Sequence, residues 1–216
     1  VSNGAVLNVE QNVVIGTAPV AATGCEGSTV SYSVSASGSG LTYVWEEDNG
    51  GGFAVIVNGG VYSGAASATL TLTGITSAMN GYDYRVTVAN GAPSVCVASL
   101  TSGGVNLTVE EVPEITLQPV ASTICENTNT TFTVNAGVTT VPAYQWQEST
   151  NGGSSYSNVV NGGIYSGATL GTLTLTGVPL GSNGYLYRVI VSGTCAPSVV
   201  SNGAVLNVEQ NVVIGT

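Results

Sequence analysis

The chain contains no histidine and no lysine, and its only two cations, Arg85 and Arg188, stand against twelve carboxylates for a net charge of -10. A surface so poor in cations cannot neutralise phosphates, which excludes nucleic-acid binding, and an anionic membrane face would repel it. Missing imidazoles and amines also remove the usual general bases and the groups that activate a serine or cysteine nucleophile. Four cysteines without histidine, and without a CxxC spacing, do not make a zinc site. No apolar run approaches the ~20 residues of a spanning helix. Charged residues are 6% of the chain and hydrophobic ones 43%, so a disordered polyelectrolyte is not expected either. The expectation is a protein with no enzymatic activity, no cofactor, no nucleic-acid partner and no membrane insertion in this segment.

What remains is rich in Gly, Ser, Thr, Asn and Val, residues that short strands and tight turns use and helices avoid. The chain is also periodic. Residues Val1 to Thr17, VSNGAVLNVEQNVVIGT, return letter for letter at Val200 to Thr216, a displacement of 199 positions. Inside that period runs a looser repeat of half the length. Cys25 answers Cys125, Tyr32 answers Phe132, Trp45 answers Trp146, and Tyr62 in VNGGVYSGA answers Tyr165 in VNGGIYSGA. TLTLTG begins at Thr69 and Thr172, NGYDYRV at Asn80 matches NGYLYRV at Asn183, and the offsets stay between 99 and 103. Each half therefore reads as one domain, with loop lengths absorbing the differences.

Period-two alternation bounded by turn residues predicts strands around Tyr32 and Trp45, from Phe53 (FAVIV), and at TLTLTG, YDYRVTV and VNLTVE. Asn49-Gly50, Asn58-Gly59 and Asn80-Gly81 fall between them, where Asn-Gly can supply positive φ angles. About seven short strands per ~100 residues predict an all-β chain of two tandem immunoglobulin-like sandwiches in a linear array. The expected limits are residues 1–10 as the last strand of a preceding repeat, 11–111 and 112–210 as the two domains, and 211–216 as the first strand of a following repeat.

A Trp in the third strand (Trp45, Trp146), a GYxYRV strand (Gly81 to Val86, Gly184 to Val189) and a Cys flanking each end of the fold resemble bacterial immunoglobulin-like tandem-repeat domains of giant cell-surface adhesins, those of gliding bacteria among them. The resemblance covers nearly the whole chain and implies an extracellular filament or stalk whose partners are neighbouring repeats, with surface polysaccharide as a candidate ligand. Immunoglobulin domains proper join their second and sixth strands by a disulfide through the core. Here those positions read as Tyr32 or Phe132 and Val86 or Val189.

The residues able to carry chemistry are few. Glu46, Glu47 and Asp48 form a carboxylate cluster after Trp45, of the kind a glycosidase would need, but the second half has Gln147, Glu148 and Ser149 there. Arg85 and Arg188, flanked by Tyr84 and Tyr187, are expected to serve structure by meeting carboxylates of the Trp-bearing strand, Glu46 or Glu47 and Glu148. Glu110, Glu111 and Glu114 at the joint between halves are a candidate metal group for a hard cation such as calcium. Trp45, Trp146, Tyr84 and Tyr187 are expected as core anchors. For Cys25, Cys96, Cys125 and Cys195, one bridge per domain (Cys25 to Cys96, Cys125 to Cys195) would close loops of about 70 residues and contribute on the order of 4 kcal/mol each. In an immunoglobulin-like topology the two cysteines of a half lie near opposite ends of the sandwich, so Cys25 to Cys195 across the joint is the alternative. Two further readings of the whole are a secreted subunit that polymerises by strand exchange and a carbohydrate-binding module whose loops, 48–53 and 149–156, set specificity.

Overall fold

The computed structural model describes residues 9–91 and 99–211. The chain divides into two units, Val1–Glu110 and Glu111–Thr216. Alternating apolar residues decide which face of each strand turns inward. In the first domain the strands are β1 (Val14–Thr17), β2 (Ala22–Cys25), β3 (Thr29–Ser33), β4 (Ser35–Ser37), β5 (Thr42–Asp48), β6 (Ala54–Val55), β7 (Tyr62–Ser63), β8 (Thr69–Thr73), β9 (Asp83–Ala89), β10 (Ser99–Thr101) and β11 (Val105–Glu110). One sheet has the order β3-β8-β7, with β1 pairing β4, the strand that follows β3 beyond Val34. The other has the order β2-β11-β9-β5-β6, with β10 also on β9.

The second domain repeats this with β12 (Ser122–Cys125), β13 (Thr130–Thr133), β14 (Ala143–Ser149), β15 (Ser157–Asn158), β16 (Tyr165–Ser166), β17 (Thr172–Leu175), β18 (Leu186–Ser192), β19 (Val199–Val200) and β20 (Ala204–Glu209). Its sheets are β13-β17-β16 and β12-β20-β18-β14-β15. Both domains contain one parallel pair, β2 on β11 and β12 on β20, within otherwise antiparallel sheets. This is an immunoglobulin-like sandwich in each half.

Leu70 and Leu72 on β8, and Tyr84, Val86 and Val88 on β9, are fully buried, while the intervening Thr69, Thr71 and Thr73 stay partly or fully exposed. Each large side chain so buried contributes about 1.5–3 kcal/mol. Trp45 and Trp146 lie fully inside, and each indole N–H finds a carbonyl, Ser67 at 2.9 Å and Leu170 at 2.8 Å. The aromatic ring facing Tyr32 is Tyr84, stacked at 4.9 Å between centroids, and Phe132 stacks on Tyr187 at 5.0 Å. This corrects the pairing of Tyr32 with Val86: both Tyr84 and Val86 point inward, but the tyrosine brings the larger surface into contact across the sheets.

Two local expectations also change. The strand expected from Phe53 shrinks to Ala54–Val55, the two residues that pair with Glu47 and Glu46 of β5, and the Phe53 ring lies under Arg85. In the Asn-Gly turns only glycine takes positive φ (Gly50 101°, Gly59 137°, Gly81 88°). Asparagine acts through its side chain instead. Asn80 Oδ1 accepts the Val109 N–H and Asn183 Oδ1 accepts the Val208 N–H, both at 2.9 Å, tying the turn before β9 or β18 to the last strand of its domain.

The glycine of the YSGA motif is fixed by sterics. Gly167 has φ +76°, and a Cβ there would stand 2.2 Å from the Thr172 carbonyl oxygen; at Gly64 the distance to the Thr69 oxygen would be 2.1 Å. Gly167→Ala is expected to lower unfolding stability by about 2 kcal/mol or more, and Gly163→Ala, which has positive φ but open space, by only about 1 kcal/mol. Urea unfolding of the two variants checks the order.

Candidate functional site

Register alone brings the two cations to fixed partners. Arg85 on β9 lies opposite Glu46 on β5, and Arg188 on β18 lies opposite Gln147 on β14. Arg85 Nε donates to Glu46 Oε2 at 2.8 Å while its guanidinium sits 3.9 Å from the centre of the Phe53 ring. Arg188 Nε donates to Gln147 Oε1 at 2.8 Å, 3.7 Å from the centre of the Tyr156 ring. The expected partner Glu148 is thus replaced by Gln147, because the facing position in the register belongs to Gln147. The stacking rings went unforeseen, although Phe53 and Tyr156 occupy matching places in the two halves. They come from the loops 48–53 and 149–156, so those loops are pinned down on the sheet.

The carboxylate cluster is fully engaged. Glu47 accepts the Tyr62 hydroxyl, and Asp48 Oδ1 accepts the N–H groups of Gly50 and Gly52, each at 2.8 Å. In the second domain the same three tasks fall to Gln147, to Glu148, which accepts the Tyr165 hydroxyl at 2.6 Å, and to Ser149, whose Oγ accepts the Gly153 N–H at 2.9 Å. The carboxylate cluster itself does not recur, but the three hydrogen-bonding roles do. A carboxylate committed to a tyrosine or a turn is not free to attack or protonate a glycosidic bond.

Tyr165 reaches further, its hydroxyl 3.1 Å from that of Tyr187. Burial, with the Glu148 charge and Tyr185 adding to it and the hydrogen bond shared with Tyr165 opposing it, pushes Tyr187 up to about 12 from 10.0. Burial raises Tyr165 further, with Glu148 and Tyr187 reinforcing it, and also raises Tyr62, Tyr84 and Tyr32. Burial favours the neutral phenol at all five; the Tyr62 and Tyr165 hydroxyls donate to Glu47 and Glu148, whereas those of Tyr32 and Tyr84 are buried without a hydrogen-bond partner.

Glu110, Glu111 and Glu114 do not make a metal group: among the described residues no cluster of three or more such ligands exists. Glu114 Oε1 accepts the Val138 N–H at 3.0 Å, which closes the loop after β13. An apolar groove of about 280 Å³ on the first domain is lined by Tyr43, Val44, Ile56, Val57 and Ala65 among others. It falls just below the roughly 300–1,000 Å³ of ligand sites and is lined mostly by apolar residues.

The cysteines depart from one bridge per domain. Cys25 and Cys195 are disulfide-bonded, and Cys125 is an exposed free thiol. A Cys125 to Cys195 bridge is therefore not formed, for a geometric reason. Cys125 ends β12 in register with Glu209, where the domain finishes, whereas Cys195 follows β18 beside Thr194, whose N–H donates to Thr140 O near the domain's first residues. Cys96 and the expected Cys25 to Cys96 bridge lie outside the described residues.

Residues 116–210 match the model of a domain of unknown function, DUF8696. No curated protein matches in sequence. Among solved structures, the I-band fragment I67-I69 of titin is similar at TM-score 0.69 and 15% identity, over 94% of this chain and 67% of that one. The DIP-gamma IG1+IG2 structure is similar at TM-score 0.59 and 13% identity, over 93% and 99%. Extracellular domains 3–5 of Drosophila OTK follow at TM-score 0.55 and 16% identity, over 94% and 64%. Identities this low carry the tandem immunoglobulin-like fold and nothing finer.

Arg188→Ala removes both the Gln147 bond and the Tyr156 stack, and is expected to cost about 1–2 kcal/mol, read as a lower Tm, with Arg188→Lys recovering part of it. The raised tyrosines give a pH dependence. Their protonated form is favoured in the folded state, so their contribution is complete below pH 10 and is lost as pH rises toward the Tyr187 value of about 12. Tyrosinate absorbance from these raised phenols should accordingly appear together with loss of the near-UV circular dichroism signal.

Proposed function

We propose that the chain is a structural and adhesive repeat segment of an extracellular surface filament or stalk, without catalysis, as in the giant adhesins its landmarks resemble. One observation carries this reading. The repeated 17-residue stretch contains AVLNVE followed by VIGT; the copy at Val200 to Thr216 uses AVLNVE as β20, the closing strand of the second domain, and the copy at Val1 to Thr17 uses VIGT as β1, the opening strand of the first. One phrase of sequence therefore encodes the seam between successive domains, and its recurrence after 199 positions is what a tandem array requires.

Other features fit. Disulfide-bonded Cys25 and Cys195 suit an oxidising compartment. Paired hydroxyls line exposed strand faces, Ser31 with Thr71 at 3.1 Å, Ser33 with Thr69 at 3.0 Å and Thr133 with Thr172 at 3.2 Å, a surface suited to hydroxylated partners such as polysaccharide. The denatured, reduced mass of the native polypeptide tests the reading. A mass many times 21.5 kDa is expected; a mass near 21.5 kDa would replace the array with separate subunits that exchange strands.

A further inference from the structure

We propose that the apolar groove on the first domain is a binding site for a primary carboxamide, the side chain of a glutamine presented by a protein partner. The inference goes beyond the structural role of the segment, and it needs only the first domain, not the array.

The second domain shows what fits. Val44 on β5 and Ile56 just after β6 both line the groove, and their counterparts in the second domain are Gln145 and Val159. Around them the two domains make the same bonds. The Ile56 N–H donates to Trp45 O and the Val159 N–H to Trp146 O, both at 2.9 Å. The Trp45 N–H donates to Ala65 O at 3.3 Å and the Trp146 N–H to Ala168 O at 2.9 Å. Asn58 and Asn161 each accept, through Oδ1, the N–H of that alanine at 2.9 Å. On this shared frame the second domain adds one thing: Gln145 Nε2 donates to Trp146 O at 2.8 Å and to Val159 O at 3.0 Å. The matching carbonyls of the first domain are Trp45 O and Ile56 O, and the Val44 side chain has no N–H to give them. The first domain thus keeps the acceptors and lacks the donor, and beside them it has a groove of about 280 Å³.

The two carbonyls and the lining together select the ligand. A carbonyl oxygen has two lone pairs, so Trp45 O can take a second donor beside Ile56, as Trp146 O does beside Val159. Bonding both carbonyls from one nitrogen takes two N–H groups, and a hydroxyl or a secondary amide has only one donor hydrogen. An ammonium or guanidinium has enough, but no residue lining the groove is charged, and Glu46, two positions along β5 from Val44, is engaged by Arg85. Burying a cation there without a counter-charge is costly. A carboxylate would turn oxygen against oxygen. The group that remains is a primary carboxamide, with an aliphatic stem to lie against Val55 and Val57 at the exposed rim. A volume below that of most small-molecule sites suits a single side chain, and glutamine is the residue already seated at the equivalent place.

The test is an NMR titration of the backbone amides of the 216-residue chain with N-acetylglutamine N-methylamide, with the corresponding glutamate and methionine derivatives as controls. Expected are saturable shifts of the Val44, Ile56, Val57 and Ala65 signals at millimolar glutamine derivative. The methionine derivative, which lacks both hydrogen bonds, should bind about tenfold more weakly. Val44→Gln is expected to abolish the shifts by filling the site from within, and Gln145→Val to add a second set at Val159 and Ala168. Each variant takes the residue with which the other domain folds. Absence of saturable shifts in the unaltered chain would overturn the site. Equal binding of the methionine derivative would leave an apolar groove with no selection for carboxamide. Shifts that persist in Val44→Gln, or a Gln145→Val chain that gains no second set, would show that the carbonyl pair is not the recognising element. None of these outcomes bears on the mass of the native polypeptide, so the array reading stands or falls separately.

Discussion

The two sheets of each domain meet through a stacked aromatic pair, Tyr32 on Tyr84 and Phe132 on Tyr187, with Trp45 and Trp146 tilted against the first member at 6.4 and 6.5 Å. Offset rings of this kind add about 0.5–1.5 kcal/mol to the area they bury, and they fix the sheet spacing without a covalent bond. Much else depends on that choice. With aromatic rings filling the centre, no cysteine is needed in the stack, and Cys25 and Cys125 stand at the ends of β2 and β12. The tyrosine that completes the stack also carries a hydroxyl into the core. In the second domain Tyr165 and Glu148 answer it with a hydrogen-bonded chain that runs from the middle of the sandwich to its edge.

The rest of the polar inventory is organised around the same sheet. A chain with two cations and twelve carboxylates has little charge to waste, and the side chains nearest the cations are turned inward on structural tasks. Arginine lies flat between a loop aromatic and the strand opposite, its acidic or amide partner holds it in register, and the neighbouring carboxylate receives a tyrosine. Comparing the halves shows which property matters at each point. Glu46 and Gln147 both hold arginine, so an acceptor oxygen suffices and a negative charge is optional; Asp48 and Ser149 both gather turn N–H groups, so a short side chain with an oxygen suffices.

The sandwich was legible because its signals are local. Alternation in TLTLTG and DYRVTV, the tryptophans and the glycine-rich turns each report on a few neighbouring residues, and the internal repeat supplies every landmark twice. What escaped was decided across the sheet. Phe53 looked like a strand residue, since nothing in FAVIV announces that its ring lies over Arg85. Glu148 looked like the partner of Arg188 because charge was the visible cue, while register gave the contact to Gln147. Neither parallel pair, β2 with β11 or β12 with β20, leaves a mark in composition. The cysteines were legible in part: pairing within each half is the simplest count, the expected topology already set the two cysteines of a half near opposite ends, and the register of β12, together with the loop after β18, decides that Cys125 and Cys195 stand apart.

The placement of the arginines also governs how the folded chain meets proteolysis. An enzyme that cleaves after basic residues needs an extended segment with the basic side chain free to enter its specificity pocket. Arg85 and Arg188 are the only residues of that kind in the sequence. Each lies in the middle of a strand paired on both sides, with its guanidinium covered by an aromatic ring. Loops are where such nicks normally occur, and the loops of this chain hold no lysine or arginine at all. In its native state the chain is thus closed to trypsin-like digestion, a useful property for any protein that works exposed outside a cell.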